Sequence, residues 1–205
     1  MTTKYGFSNV RGQLVKDIEG AYPTKWNDFQ AAKVLGEDVF GSPKPHPNAV
    51  LNLFEAQNLK FAIPFAAYRA SIGGFPALVS DKPGTILPRR TLATTIYGMH
   101  VLQSAAAHAA RMAAYRGDLG VCPGGKACAL GVNTSPIKPR MEAVGKIYEA
   151  IVDGREGGVL SRPCFGNLLC AKCAMFITGI HTAYCSAYWE KLAVVFDVPN
   201  SWNGL

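Results

Sequence analysis

The residues best suited to chemistry in this chain are its cysteines, at positions 122, 128, 164, 170, 173 and 185. Four of them fall into two close pairs: Cys122-x5-Cys128, within VCPGGKAC, and Cys170-x2-Cys173, within CAKC. A Cys-x2-Cys turn brings two sulfurs within reach of one ion, and a second pair from elsewhere in the chain completes a tetrahedron. Zinc favours such closed thiolate sets where its role is structural. Pro123, Gly124 and Gly125 let the first pair's backbone wrap tightly around an ion. The second pair is placed to open a helix, whose N-terminal amides hydrogen-bond thiolate sulfur and favour its charge. Lys126 and Lys172, one inside each pair, would offset the negative charge of the site. The x5 spacing is looser than x2, so other readings stand beside zinc: reduced cysteines packed as small hydrophobes, an iron–sulfur cluster, or a redox dithiol. Cys164 and Cys185 are left over, and His181 is a substitute ligand. A complete set of four thiolates leaves no position open for water. The expectation is therefore a structural zinc and no metal-centred catalysis.

Other reactive patterns are sparse. Cys164 as a nucleophile with His181 or His108 as its base is a covalent arrangement the residue types allow in principle. Gly125-Lys126 has neither the preceding glycine spacing nor the following Ser or Thr of a phosphate-binding loop. No GxSxG or HExxH pattern occurs. Glu37, Asp38, Asp81 and Asp153 show no pairing of the kind used in glycoside hydrolysis. His46, between two prolines, reads as an exposed loop residue. No catalytic residue and no cofactor-binding residue is assigned. The enzymatic alternative is an unfamiliar pocket around Tyr97, His100 and His108.

Composition narrows the class. Of 205 residues, 49% are apolar and 17% charged, and mean hydropathy is +0.09, the reverse of a disordered chain's balance. Low charge leaves apolar surface for a partner to cover. No apolar run reaches the roughly 18–20 residues of a membrane span. The opening MTTKYGFSNVRGQLVKDIEG lacks an apolar signal core and carries Asp17 and Glu19, which mitochondrial presequences avoid. The expectation is an intracellular protein of cytoplasm or nucleus, where thiols stay reduced or bind metal. Formal net charge is +7; four thiolates subtract four and one Zn²⁺ restores two, leaving +5. Arg89, Arg90, Arg111, Arg116, Lys138, Arg140 and Lys172 form no dense run and read as solvated surface. Nucleic-acid binding through a basic face beside the zinc site is the alternative they leave open.

The elements that must position these cysteines are helices. Phe7, Val10, Leu14 and Ile18 recur at helical spacing behind Ser8 as N-cap, and Tyr22-Pro23 ends that helix. Thr24 caps a second helix carrying Trp26, Phe29, Ala32 and Val34, and GSPKPHP is a stiff connector. A helix over 48–57 buries Val50, Leu51 and Phe54. Another starts at Pro64 and stops at Gly73-Gly74. The segment FPALVSDKPGTILP reads as loop. The longest helix runs from Pro88 to about Arg116, through the alanine-rich AAAHAARMAAY. A further amphipathic helix spans 139–153. The last begins near Leu168 and continues past Trp189 to Leu192, and the tail folds back on Trp202. The organisation is one all-α domain over 1–205, with a helical array over 1–116 and zinc-clasped helices over 117–205, and little or no β-structure.

The last third, with its Cys-x2-Cys followed after a helix by YWEKLAVVFDVPNSWNGL, resembles the endings of the BTB-domain proteins of mushroom-forming fungi. Tyr188-Trp189, Leu192, Phe196 and Trp202 occupy that group's landmark positions, while Ala193 replaces its usual proline. The opening TTKYGFSNVRGQLVKDIEGAYPTKW is similar to the helix that follows the BTB core, and Cys122, Cys128, Cys170 and Cys173 match cysteines of the group. The resemblance implies a BACK-like helical array acting as an interaction or spacer region, with another protein or a second copy as partner. The core that dimerises and recruits cullin ligases would lie ahead of residue 1, so the cullin-adaptor role is not carried over.

Overall fold

Proline and helix-end chemistry cut the chain into helices. The computed structural model describes residues 7–34, 45–115, 122–124, 128, 137–152, 158–160, 165 and 167–197. Among them are helices α1 (Phe7–Ala21), α2 (Trp26–Val34), α3 (Pro47–Ala56), α4 (Ile63–Ser71), α5 (Gly74–Leu78), α6 (Arg89–Tyr115), α7 (Ile137–Val152), α8 (Ala171–Trp189) and α9 (Leu192–Val195), with one 3-10 turn, Gly158–Leu160. No strand occurs among the described residues, and the all-α expectation holds. None of the described helices is long and apolar enough to cross a membrane. The chain divides into two compact units, Met1–Gly98 with Glu190–Leu205, and Met99–Trp189.

The first unit is built on aromatic rings and side-chain caps. Phe65 of α4 meets Tyr22 and Phe29 edge-on, at centroid distances of 5.8 and 5.7 Å, and Tyr22 also meets Phe54 of α3 at 4.7 Å. Such T-shaped contacts match ring edges to ring faces and add to the area buried. Pro47 occupies the first turn of α3, where its missing N–H costs nothing. His46, expected as an exposed loop residue, is instead half-buried and caps this helix: its Nδ1 accepts from the Asn48 N–H at 3.3 Å. Asn48 is 1% exposed, and its Nδ2 donates to the carbonyls of Ala77, Leu78 and Thr85 at 3.1–3.2 Å. Those bonds hold a segment read from sequence as all loop, whose first residues form the short helix α5. Gly74, at φ +70, makes the reversal between α4 and α5. Ser8 lies inside α1 rather than capping it, and Leu14, one of its helically spaced apolar residues, is exposed. Phe196, just beyond α9, places its ring where a Cβ of Gly98 would stand, so that glycine lets α6 and the end of α9 close on each other.

The second unit carries the paired cysteines. Leu102, Ala106, Ala109 and Ala110 of α6, Ile147 and Ile151 of α7, and Val159 and Leu160 of the 3-10 turn are buried. Helix α8 contributes Cys173, Ile177, His181, Cys185 and Trp189, one buried residue every four. That spacing keeps them on one side of the helix. Tyr184 Oη donates to the Leu102 carbonyl at 2.8 Å, tying α8 to α6. The helix starts and ends about three residues inside the bounds read from sequence, and Leu192 belongs to the separate α9. The folded-back tail and Trp202 lie outside the described residues.

Candidate metal centre

The start of α8 supplies one half of the cluster. Cys170 is the residue before Ala171, and its carbonyl accepts from the Ala174 N–H at 2.9 Å, as an N-cap carbonyl does. Its sulfur accepts from the Cys173 N–H, taking the place of the oxygen that Ser or Asp would offer there. Cys173, in the first turn, turns its own sulfur to the same side and is buried. The other half comes from Cys122 and Cys128, both buried.

Cys122 Sγ lies 3.5 Å from Cys170 Sγ and 3.5 Å from Cys173 Sγ, and all four sulfurs lie within 4.8 Å of one another. A tetrahedron with metal–sulfur bonds of about 2.3 Å needs sulfurs about 3.8 Å apart. A disulfide would need about 2.05 Å, and none of the five described cysteines forms one. The four residues are therefore close enough to hold a metal ion.

Three backbone amides point at the cluster: Cys173 N–H at Cys170 Sγ, Gly124 N–H at Cys122 Sγ, and Cys170 N–H at Cys128 Sγ, the last at 3.4 Å. A neutral thiol is a weak acceptor, whereas a thiolate accepts strongly. Such donors suit ligating sulfur more than cysteines buried as small hydrophobes. The Cys173 amide, outweighing the cost of burial, brings the Cys170 thiol down to about 6. Burial pushes Cys122 up against the opposing Gly124 amide, and it pushes Cys173 up with help from the neighbouring sulfurs. In the metal-free cluster Cys170 thus carries negative charge more readily than Cys122 or Cys173.

Gly124 fills a place that no other residue can. A Cβ there would stand 2.8 Å from Cys128 Cβ, 2.9 Å from Cys170 Cβ and 3.5 Å from Cys170 Sγ. In the sequence Gly124 is one of two adjacent glycines that let the backbone wrap tightly around an ion; the close approach singles it out, and only the position of the partner pair could have revealed it.

Among the described residues, the remaining candidates do not join this group. His181 stands eight residues beyond Cys173, about 12 Å along the helix axis. It meets Cys185 instead, with Nε2 3.2 Å from Cys185 Sγ, both buried. Cys185 Sγ also faces the Val159 carbonyl at 3.8 Å. Cys164, Lys126, Arg116, Glu37, Asp38 and Asp153 lie outside the described residues. His100 and His108 are exposed on α6, as is Tyr97 at 64%. Arg89, Arg90, Arg111 and Lys172 are exposed as well. No protein family, no curated protein and no solved structure matches this chain.

Proposed function

We propose that Cys122, Cys128, Cys170 and Cys173 hold one structural zinc ion, and that the chain is a non-enzymatic helical domain that binds another protein or a second copy of itself. The observation that carries the metal is the convergence of four sulfurs within 4.8 Å. Soft thiolates select zinc or iron–sulfur centres. A single closed quartet, with amide donors on its sulfurs, suits a lone zinc whose contribution is a cross-link between two distant chain segments. All four positions being filled by protein, the ion would offer no site for substrate.

Support for the binding role comes from apolar side chains left at the surface of the first unit: Leu53, Phe75, Val79, Ile86 and Val194 are all more than half exposed. Likeness to the helical region behind a BTB core agrees with an interaction role, and is part of the proposal. Metal content of protein purified without a metal-binding tag tests the centre. Near-stoichiometric zinc that disappears in Cys170→Ser, together with loss of stability, is expected. Metal-free protein of unchanged stability sinks the reading, and stoichiometric iron replaces zinc in it. Light scattering across a concentration series, with Phe75→Glu and Ile86→Glu alongside, separates self-association from a heterologous partner.

A further inference from the structure

Resting on the metal-centre reading, we infer that the cluster is also a modification site for hydroperoxides, where oxidation exchanges the metal clasp for a disulfide between Cys122 and Cys170. Three of the four cysteines are buried, and Cys170 alone is half-buried, so a small oxidant meets its sulfur first. That sulfur lies 3.5 Å from Cys122 Sγ, across from the other chain segment. Contraction to a bonding distance of about 2.05 Å is a local movement of two side chains.

The chemistry balances with hydrogen peroxide as the oxidant. Cys170 thiolate attacks one peroxide oxygen, the O–O bond breaks, hydroxide leaves, and a sulfenic acid remains. Cys122 thiolate then attacks that sulfur, the S–S bond forms, and a second hydroxide leaves. Two thiolates have lost two electrons and one peroxide has gained them. Cys128 and Cys173 alone cannot complete a tetrahedral site, and the metal departs. The new bond joins the same two segments that the metal joined, so oxidation removes the ion without opening the fold. Cys185, buried on α8, lies outside the exchange and serves as an internal reference.

The test is a peroxide titration of the full zinc-loaded chain, following zinc with a chromogenic chelator, thiols by titration, helix by far-UV circular dichroism, and linkage by non-reducing tryptic mapping. Cleavage after Lys126 and Lys172 places Cys122 and Cys128, and likewise Cys170 and Cys173, in separate peptides. Fragment ions distinguish Cys164 from Cys170, and Cys173 from Cys185, since each of these pairs shares one peptide. Two thiols lost per zinc released, Cys122 linked to Cys170, unmodified Cys185 and retained helix are the expected results. Predominant Cys122–Cys128 or Cys170–Cys173 linkage, zinc released with thiols intact, sulfinic acid without a disulfide, or collapse of the helical signal would each overturn the inference. In Cys122→Ser, peroxide is expected to consume Cys170 with no cross-segment link. Protein that carries no zinc as purified defeats the metal reading by itself; the linkage pattern on the metal-free thiols still decides whether Cys122 and Cys170 form the disulfide.

Discussion

Substituting Gly124 by Ala adds a single methyl group at the point where the two halves of the cluster meet. Carbon atoms in ordinary contact lie about 3.5–4.0 Å apart, whereas this one would stand 2.8 Å from Cys128 Cβ and 2.9 Å from Cys170 Cβ. Both neighbours are carbons fixed to the main chain, and neither can swing aside as the end of a long side chain would. Overpacking of this kind costs about 1–3 kcal/mol, and two simultaneous short contacts place the cost near ~3 kcal/mol. The clash is sharpest when an ion holds the two pairs closed, so most of it falls on metal binding. At about 1.4 kcal/mol per tenfold, zinc affinity drops about 100-fold. Chelator competition at fixed pH measures it. Denaturant unfolding of metal-free Gly124→Ala should stay within about 1 kcal/mol of the parent, because without an ion the two pairs can draw apart by the small distance the methyl needs. Zinc affinity within threefold of the parent refutes the reasoning, since it would mean that the sulfurs gather by some other route.

Gly145 in α7 and Gly179 in α8 have open space where a Cβ would go. Gly145→Ala and Gly179→Ala are each expected to raise unfolding free energy by about 0.5–1 kcal/mol, seen as a higher denaturant midpoint. Asn48→Ala strips the partner from the carbonyls of Ala77, Leu78 and Thr85 and should cost about 2–4 kcal/mol in the same assay. In the metal-free chain the Cys170 thiol, lowered from an ordinary 9.0 to about 6, contributes stability that is present above pH 9 and lost as pH falls through 6. Cys122 and Cys173, raised, act the other way: their contribution is full below pH 9 and lost as pH climbs through their folded values. A metal must displace at least the protons those two retain, so apparent zinc affinity rises by about 100-fold or more per pH unit between about pH 6 and 8. Chelator competition at several pH values checks the slope; a flat profile contradicts it.

Several features were legible in the amino-acid order because local chemistry decides them. Pro64 in the first turn of α4, Pro23 just after α1, and the long α6 follow from proline geometry and alanine's helix preference. The two cysteine pairs were legible because the donor type and short spacing are themselves the signal. Helix α5 was not: five residues are too few for a period to show, and it is secured by Asn48, far away in sequence. His46 escaped notice as a cap because imidazole is uncommon there, and its neighbouring prolines suggested only a connector. His181 looked like a spare ligand until the helix put it about two turns beyond Cys173 and beside Cys185. Which glycine mattered in Pro123-Gly124-Gly125 depended wholly on the pair that arrives from the other end of the chain.

Cys170 both belongs to the sulfur cluster and caps α8. Starting a helix is the slow, unfavourable part of forming one, because several residues must be fixed before the first bond repays them. A sulfur cap holds that first turn only as well as its negative charge lets it accept, and anything that keeps the charge in place also seeds the helix. Amide hydrogen exchange at Cys173 is therefore a gauge of the cluster: it should slow when the sulfur is ligated and quicken when it is protonated, with fraying that spreads from the first turn towards Ile177. Nineteen residues of helix, and the buried row that ends at Trp189, begin at a turn whose third amide is held by one sulfur atom.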